Sequence, residues 1–380
     1  MMRSESRIVT THTGSLPRPA DLETRILAAE AGEPVDAPQL EASIRSGVDE
    51  VVRQQVAAGV DWINDGEASK ASYMTFMTDR LSGFAAGRGM EDNLAYFGSD
   101  EVPGLAERLA ETAAPSFAAL RRPDACTGPI SYIGYDAVER DIDNLKTAAA
   151  DASVEGLFMP SVSPGMVFMY RNEYYASDED YHLAIADALR EEYEAINRAG
   201  LVLQLDCPDF PSVAAAGPGA RAELEHRIDA INHAVANIPP DMARIHLCWG
   251  NLEVPHDHDV GLREFVEVVL QRAKPAGLSI EAANPRHAHE WKVFEDVKLP
   301  DEKYLIPGVV DVKTNIVEHP ELVAQRIVQY ANLVGRENVI AGTDCGFASI
   351  VSLHTVLPAV AWRKLRAMRD GADLATSQLW

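Results

Sequence analysis

A repeating alternation constrains this chain most: a short apolar run, a longer segment of helical period, then another apolar run. Eight runs qualify, at residues 8–15, 60–67, 156–164, 201–206, 244–251, 278–281, 308–313 and 339–346. Several are separated by amphipathic helices. Ala37–Ala58 places Leu40, Ile44, Val48, Val51 and Val52 at three- and four-residue spacing and stops at Gly59. Asp178–Ala199 does the same with Ile185, Leu189, Tyr193 and Ile196. Further helices are expected over Ala222–Ala236, Val260–Ala273, Pro320–Val334 and Val356–Met368. Strands alternating with helices form parallel sheets. Eight of them, with no linker-like break, predict one (β/α)8 TIM barrel spanning residues 1–380 as a single α/β domain. The rival, an open doubly wound sheet, lacks support: no G-x-G-x-x-G follows a strand, and there is no Walker loop. Gly83–Asp124, which holds Glu91-Asp92-Asn93 and an alanine-rich helical piece, reads as an insertion after the second βα unit. Cys126–Gly134 reads as an extra strand or hairpin.

The charge balance narrows the partners. A formal net charge of −24 over 380 residues argues against nucleic acid and anionic membranes, which need clustered Lys and Arg. No apolar run reaches membrane-spanning length, and residues 1–5 lack the apolar core of a secretory signal, so a cytoplasmic location is expected. The four cysteines are scattered, which favours metal or catalytic use over a disulfide framework. Small-molecule partners fit this profile, and a homo-oligomer is compatible with it.

In a barrel the carboxyl ends of the strands share one face, and chemistry collects there. Those ends carry Ser15, Glu67, Asp206, His246 with Cys248, Glu281, Lys313 and Cys345. One acid at a strand end is ordinarily a helix cap or an ion-pair partner; recurrence at nearly every end is not explained by packing. His246 and Cys248 stand two apart on a strand and so share a face. The pair alone reads most simply as a buried thiol beside a hydrogen-bonded histidine. With Glu281 and Cys345 added, one nitrogen, two sulfurs and one oxygen suffice for a tetrahedral zinc ion. Such an ion would hold an incoming thiol as thiolate at neutral pH, ready for alkyl transfer. His256-Asp257-His258 and His287-Ala288-His289 fall in loops and read as exposed polar residues, and Cys126 and Cys207 read as buried thiols. The aromatic stretch Phe168–Tyr175, which contains Tyr170, suits either a pocket wall or a helix packing face.

These residues carry a resemblance. Thr-His-Thr-Gly-Ser-Leu-Pro-Arg-Pro at 11–19, Asp-Gly-Glu at 65–67, Leu-Asp-Cys-Pro at 205–208, His-Leu-Cys at 246–248, Ile-Glu at 280–281 and Asp-Cys-Gly at 344–346 occur in one order. Together they resemble the catalytic barrel of the cobalamin-independent methionine synthases, particularly the short single-barrel members, essentially end to end. The resemblance implies zinc held by His246, Cys248, Glu281 and Cys345, and a thiol substrate held by Ser15, Glu67 and Asp206. It also implies transfer of a methyl or alkyl group to that thiol, as in methionine biosynthesis; in this chain Lys313 or Asp206 is expected to handle charge or protons near the donor. The chain departs from the long enzymes at three places. Asp206-Cys207-Pro208 replaces Asp-Glu-Pro, Lys313 stands where they carry a histidine, and Tyr170 stands for the tryptophan that stacks on folate. Two alternatives follow. Short barrels of this type include epoxyalkane:coenzyme M transferases, for which Arg18, Arg171 and Lys313 would be candidate sulfonate contacts. A non-catalytic zinc-binding barrel is the other.

Overall fold

The computed structural model describes residues 3–85, 88–89, 102–112, 116–117 and 120–380. Seven parallel strands form one curled sheet whose spatial order follows the chain: β1 (Trp62–Ile63), β2 (Gly156–Val162), β3 (Val202–Asp206), β4 (Ala243–Leu247), β5 (Gly277–Ile280), β6 (Tyr304–Val310) and β7 (Gly342–Thr343). The opening segment supplies the eighth stave and bonds both edges. Thr10 O accepts from Asp61 N and Trp62 N, Thr11 N donates to Ala341 O, and Ala341 N donates to Val9 O. The result is the expected β/α barrel. Every residue of β3 and β4 is buried, because one face of each strand looks into the barrel and the other is covered by helices.

The principal helices begin and end where local chemistry dictates. They are α1 (Ala20–Glu30), α2 (Ala37–Ala58), α3 (Tyr135–Ala148), α4 (Asp178–Arg198), α5 (Ala220–Ala234), α6 (Val266–Arg272), α7 (Pro320–Val334) and α8 (Pro358–Leu379). Asp36 caps α2 by accepting from Gln39 N, and Gly59 closes it with φ of 80°, a left-handed conformation that costs glycine little. Ser177 caps α4 ahead of Asp178, Glu179 and Asp180, whose charges suit a helix N-terminus.

Several boundaries differ from the sequence reading, each for a local reason. Residues 60–67 keep only Trp62–Ile63 as strand, because Gly66 and Glu67 turn left-handed, with φ of 64° and 57°. β6 begins at Tyr304, before the expected Gly308; Pro307, paired with Ile280, disguised it as loop. The helix expected from Val260 starts at Val266, because Phe265, with φ of −140°, separates it from a 3-10 turn. α8 runs past Met368 to Leu379 although Gly371 lies within it. A Cβ on Gly371 would stand 2.4 Å from Val323, so the glycine lets α7 and α8 pack closely. Helices α1 and α3 were not anticipated. The insertion lies between β1 and α3, and its described part includes a two-stranded ribbon and helix Leu105–Thr112. Glu91-Asp92-Asn93 falls outside the described residues. Ala125–Cys126 pairs in parallel with Arg171–Asn172, so the expected extra strand is present but short.

Candidate metal centre

Strand register builds the centre. Across β3 and β4, Gln204 stands opposite Arg244 and Asp206 opposite His246; across β4 and β5, His246 stands opposite Ser279. Because side chains alternate, these residues form two rungs inside the barrel. On the lower rung the fully buried Arg244 donates from Nε to Gln204 Oε1 at 2.8 Å and from Nη2 to His12 O at 2.9 Å. Its guanidinium lies 3.9 Å from the centre of the Phe158 ring. This rung is the floor under the upper one.

On the upper rung His246 Nδ1 lies 3.1 Å from Ser279 Oγ, which fixes the ring. His246 Nε2 is buried and has no hydrogen-bond partner, an expensive arrangement for a polar atom unless something else binds it. An imidazole nitrogen of His246, Cys248 Sγ and Cys345 Sγ all lie within 4.8 Å of one another. Cys248 directly follows β4, and Cys345 lies two residues past β7. The hydrogen bond from Cys345 outweighs burial and, with His246 alongside, drives the Cys248 thiol pKa well down. The same bond, with burial, drives Cys345 up. One imidazole and two thiols, one of them inclined to ionise, are the donor set a borderline-soft cation takes.

Glu281 is adjacent but lies outside this group. It follows β5, is fully buried, and both of its oxygens are occupied. Oε2 accepts from Lys313 Nζ at 2.6 Å and from Asn284 Nδ2 at 2.8 Å, and Oε1 accepts from Trp249 N at 3.0 Å. Burial raises its pKa to about 7 against the pull of Lys313. The loop it begins is held by a residue the sequence reading gave no role, Asp344. Its carboxylate accepts from Ala282 N, Ala283 N and Asn284 N at 2.7–2.8 Å and from Asn284 Nδ2 at 2.9 Å. Asp344 thereby ties the Glu281 loop to Cys345, its chain neighbour. Gly308 makes room for it, since a Cβ there would stand 2.0 Å from Asp344 Oδ1. The only prior signal for Asp344 was its place in the Asp-Cys-Gly motif; Ser279 had none.

Ser15, Glu67, Asp206, Cys248 and Cys345 line one cavity of about 20 Å³, room for roughly one water. Burial, reinforced by Glu67 and opposed by His246, raises Asp206 to about 7. Glu67 is a non-glycine residue at positive φ, a strained conformation held by Arg18, which donates to its carbonyl at 2.8 Å, and by Lys70, 3.3 Å from its carboxylate. Tyr170 is not on this wall. It lines a cleft of about 1040 Å³ that shares Tyr73, Pro208 and Gly250 with the small cavity. His246, Glu281 and Lys313 line neither space.

The loop histidines require a correction. His258 and His289 are exposed, as expected, but His256 and His287 are not. Both bond Asp259 Oδ2, at 2.8 and 3.1 Å, and His287 stacks on Trp249 with ring centres 3.8 Å apart. Burial works against the imidazolium of His287, but Asp259 and Glu290 outweigh it and raise its pKa to about 9. These groups hold the 252–260 loop to Trp249. Cys126 and Cys207 are buried and outside the donor group. Arg18 is spent on the carbonyls of Glu67, Lys70 and Ala348, and Arg171 pairs with Glu173 at the surface.

Fold and site together define a β/α barrel with a metal-capable imidazole–thiol centre at the carboxyl ends of its strands. The chain belongs to the family of the cobalamin-independent synthase catalytic domain, whose family model matches residues 91–373. It is similar to the methionine synthase of Saccharolobus solfataricus, 25% identical over 97% of this chain and 95% of the relative. The methionine synthase of Thermococcus kodakarensis is 24% identical over 97% of this chain and 94% of its own. The fold matches that of a B12-independent methionine synthase from Shewanella sp. W3-18-1, with a TM-score of 0.72, 18% identity and coverage of 98% and 99% of the two chains. Among the described residues no helix is long and apolar enough to cross a membrane.

Proposed function

We propose that this protein is a zinc-dependent transferase that moves a methyl or small alkyl group onto a thiol, with homocysteine the first acceptor to test. One observation carries the reading: His246, whose Nε2 is buried without a hydrogen-bond partner, is grouped with Cys248 and Cys345, and the two thiols also line the cavity walled by Ser15, Glu67 and Asp206. His246, Cys248 and Cys345 would hold the metal, with the Glu281 carboxylate beside them. A zinc ion there supplies a lowered thiol pKa at neutral pH.

The chain's own residues do the rest. Glu67 and Asp206 offer carboxylates to the acceptor's ammonium, and the Ser15 hydroxyl lies on the same wall. Two carboxylates suit an α-amino thiol and repel a sulfonate, which favours homocysteine over coenzyme M. Asp206, with its pKa near 7, can hold or release a proton beside the reacting sulfur. Tyr170 and Trp249 wall the larger cleft, where a methyl or alkyl donor would lie against aromatic faces and reach the acceptor past Tyr73, Pro208 and Gly250. Lys313 is bound to Glu281 and acts on the centre through it. The expected location is the cytoplasm. The reading is tested by measuring zinc content and homocysteine alkylation in the wild type and Cys248→Ser. Loss of both is expected; retention of both contradicts it.

A further inference from the structure

The expected four-donor set and the arrangement of the side chains differ at one residue, and the difference has a cause in this chain. Glu281 is fully buried at the edge of the centre, yet its oxygens face three donors: Lys313 Nζ, Asn284 Nδ2 and Trp249 N. The Lys313 contact, at 2.6 Å between groups no more than 8% exposed, is a desolvated ion pair with a hydrogen bond. Breaking such a pair leaves a buried charge uncompensated, so the pair resists opening. Both partners are fixed from behind. Lys313 N donates to Asp311 Oδ1 at 2.9 Å, and Asp311 N donates to Glu318 Oε1 at 2.7 Å. Glu318 is itself paired with the buried Lys364 at 3.0 Å. The Glu281 loop is fixed through Asp344.

We propose that Lys313 is a positioning residue that latches Glu281 away from the metal, so the resting centre has three protein ligands, His246, Cys248 and Cys345, and its fourth position is open to the thiol. The inference rests on the zinc reading above and deepens it. Glu281 would then act as a counter-charge to Lys313 near the centre, and the acceptor would enter without displacing a protein ligand. Lys313 would act through Glu281 and would not touch substrate.

The test is a zinc-affinity cycle by chelator competition on full-length protein. Glu281→Gln alone is expected to change the zinc Kd by no more than about threefold, against at least about a hundredfold for Cys345→Ala. Lys313→Met, which frees the carboxylate, is expected to tighten zinc about tenfold, and adding Glu281→Gln to that variant to remove the gain. A large loss from Glu281→Gln alone, or no tightening with Lys313→Met, overturns the latch. Because Glu281→Gln leaves a buried ammonium and can unfold the protein, a crystal structure of the zinc-loaded wild type gives an independent answer. Glu281 bonded to Lys313 and beyond coordination distance supports the latch; an oxygen at about 2.0–2.2 Å from zinc overturns it. Should Cys345→Ala leave zinc affinity unchanged, the zinc reading itself fails, and that outcome is distinguishable from failure of the latch.

Discussion

At the scale of single residues, the centre depends on atoms whose partners are few and fixed. His246 is aimed by Ser279, whose Oγ lies beside Nδ1. Ser279→Ala is expected to keep the fold and weaken zinc binding about 10–100-fold, the usual consequence of losing a group that orients a ligand; chelator competition measures it. Asp344 accepts three backbone N–H groups that have nowhere else to turn. Asp344→Ala is expected to cost about 2–4 kcal/mol of stability in urea unfolding, because buried donors are left unpaired. Glu67 combines a strained backbone with the acceptor-binding role proposed for it. Glu67→Gly is expected to cost about 3–5 kcal/mol of stability in urea unfolding, because the buried Lys70 ammonium loses its carboxylate and relief of positive φ offsets only part of that. Homocysteine-dependent turnover is expected to fall by at least about tenfold, the scale of one charge-assisted hydrogen bond. Equal turnover in this variant would remove Glu67 from the acceptor site.

At the scale of elements, what was legible followed from periodicity and composition. Buried parallel strands are near-continuous apolar runs, so β3, β4 and β5 could be read from the sequence, and with them the facing pair His246 and Cys248. Register was not legible, because hydrophobic pattern alone does not say which residue of β4 stands opposite Ser279. That is why Ser279 and the Arg244 rung were missed. Loop contacts were equally hidden: nothing in His287-Ala288-His289 distinguishes the buried histidine that stacks on Trp249 from its exposed neighbour. That contact carries a pH dependence. His287 is raised from 6.5 to about 9, so the stability it contributes is fully present below pH 6.5 and is lost as pH rises through about 9. Trp249 fluorescence is expected to change with a midpoint near pH 9 in the wild type and to lose that transition in His287→Gln.

At the scale of the whole molecule, the opening segment closes the sheet and brings Ser15 to the same cavity as Cys345, residues 330 apart in the chain. The barrel therefore assembles its centre from β3, β4 and β7 and from the first stave, and a ligand bound there stabilises the assembled state. Zinc at a hundredfold over its Kd should add about 2.7 kcal/mol to unfolding in urea, and Cys345→Ala should abolish that gain. Zinc-edge X-ray absorption of the purified protein, alone and with homocysteine and coenzyme M in turn, tests the central claim most directly. The account predicts two sulfur neighbours at rest, from Cys248 and Cys345, and a third with homocysteine only. Zinc whose sulfur count no thiol changes, or a protein that binds no zinc, would contradict it.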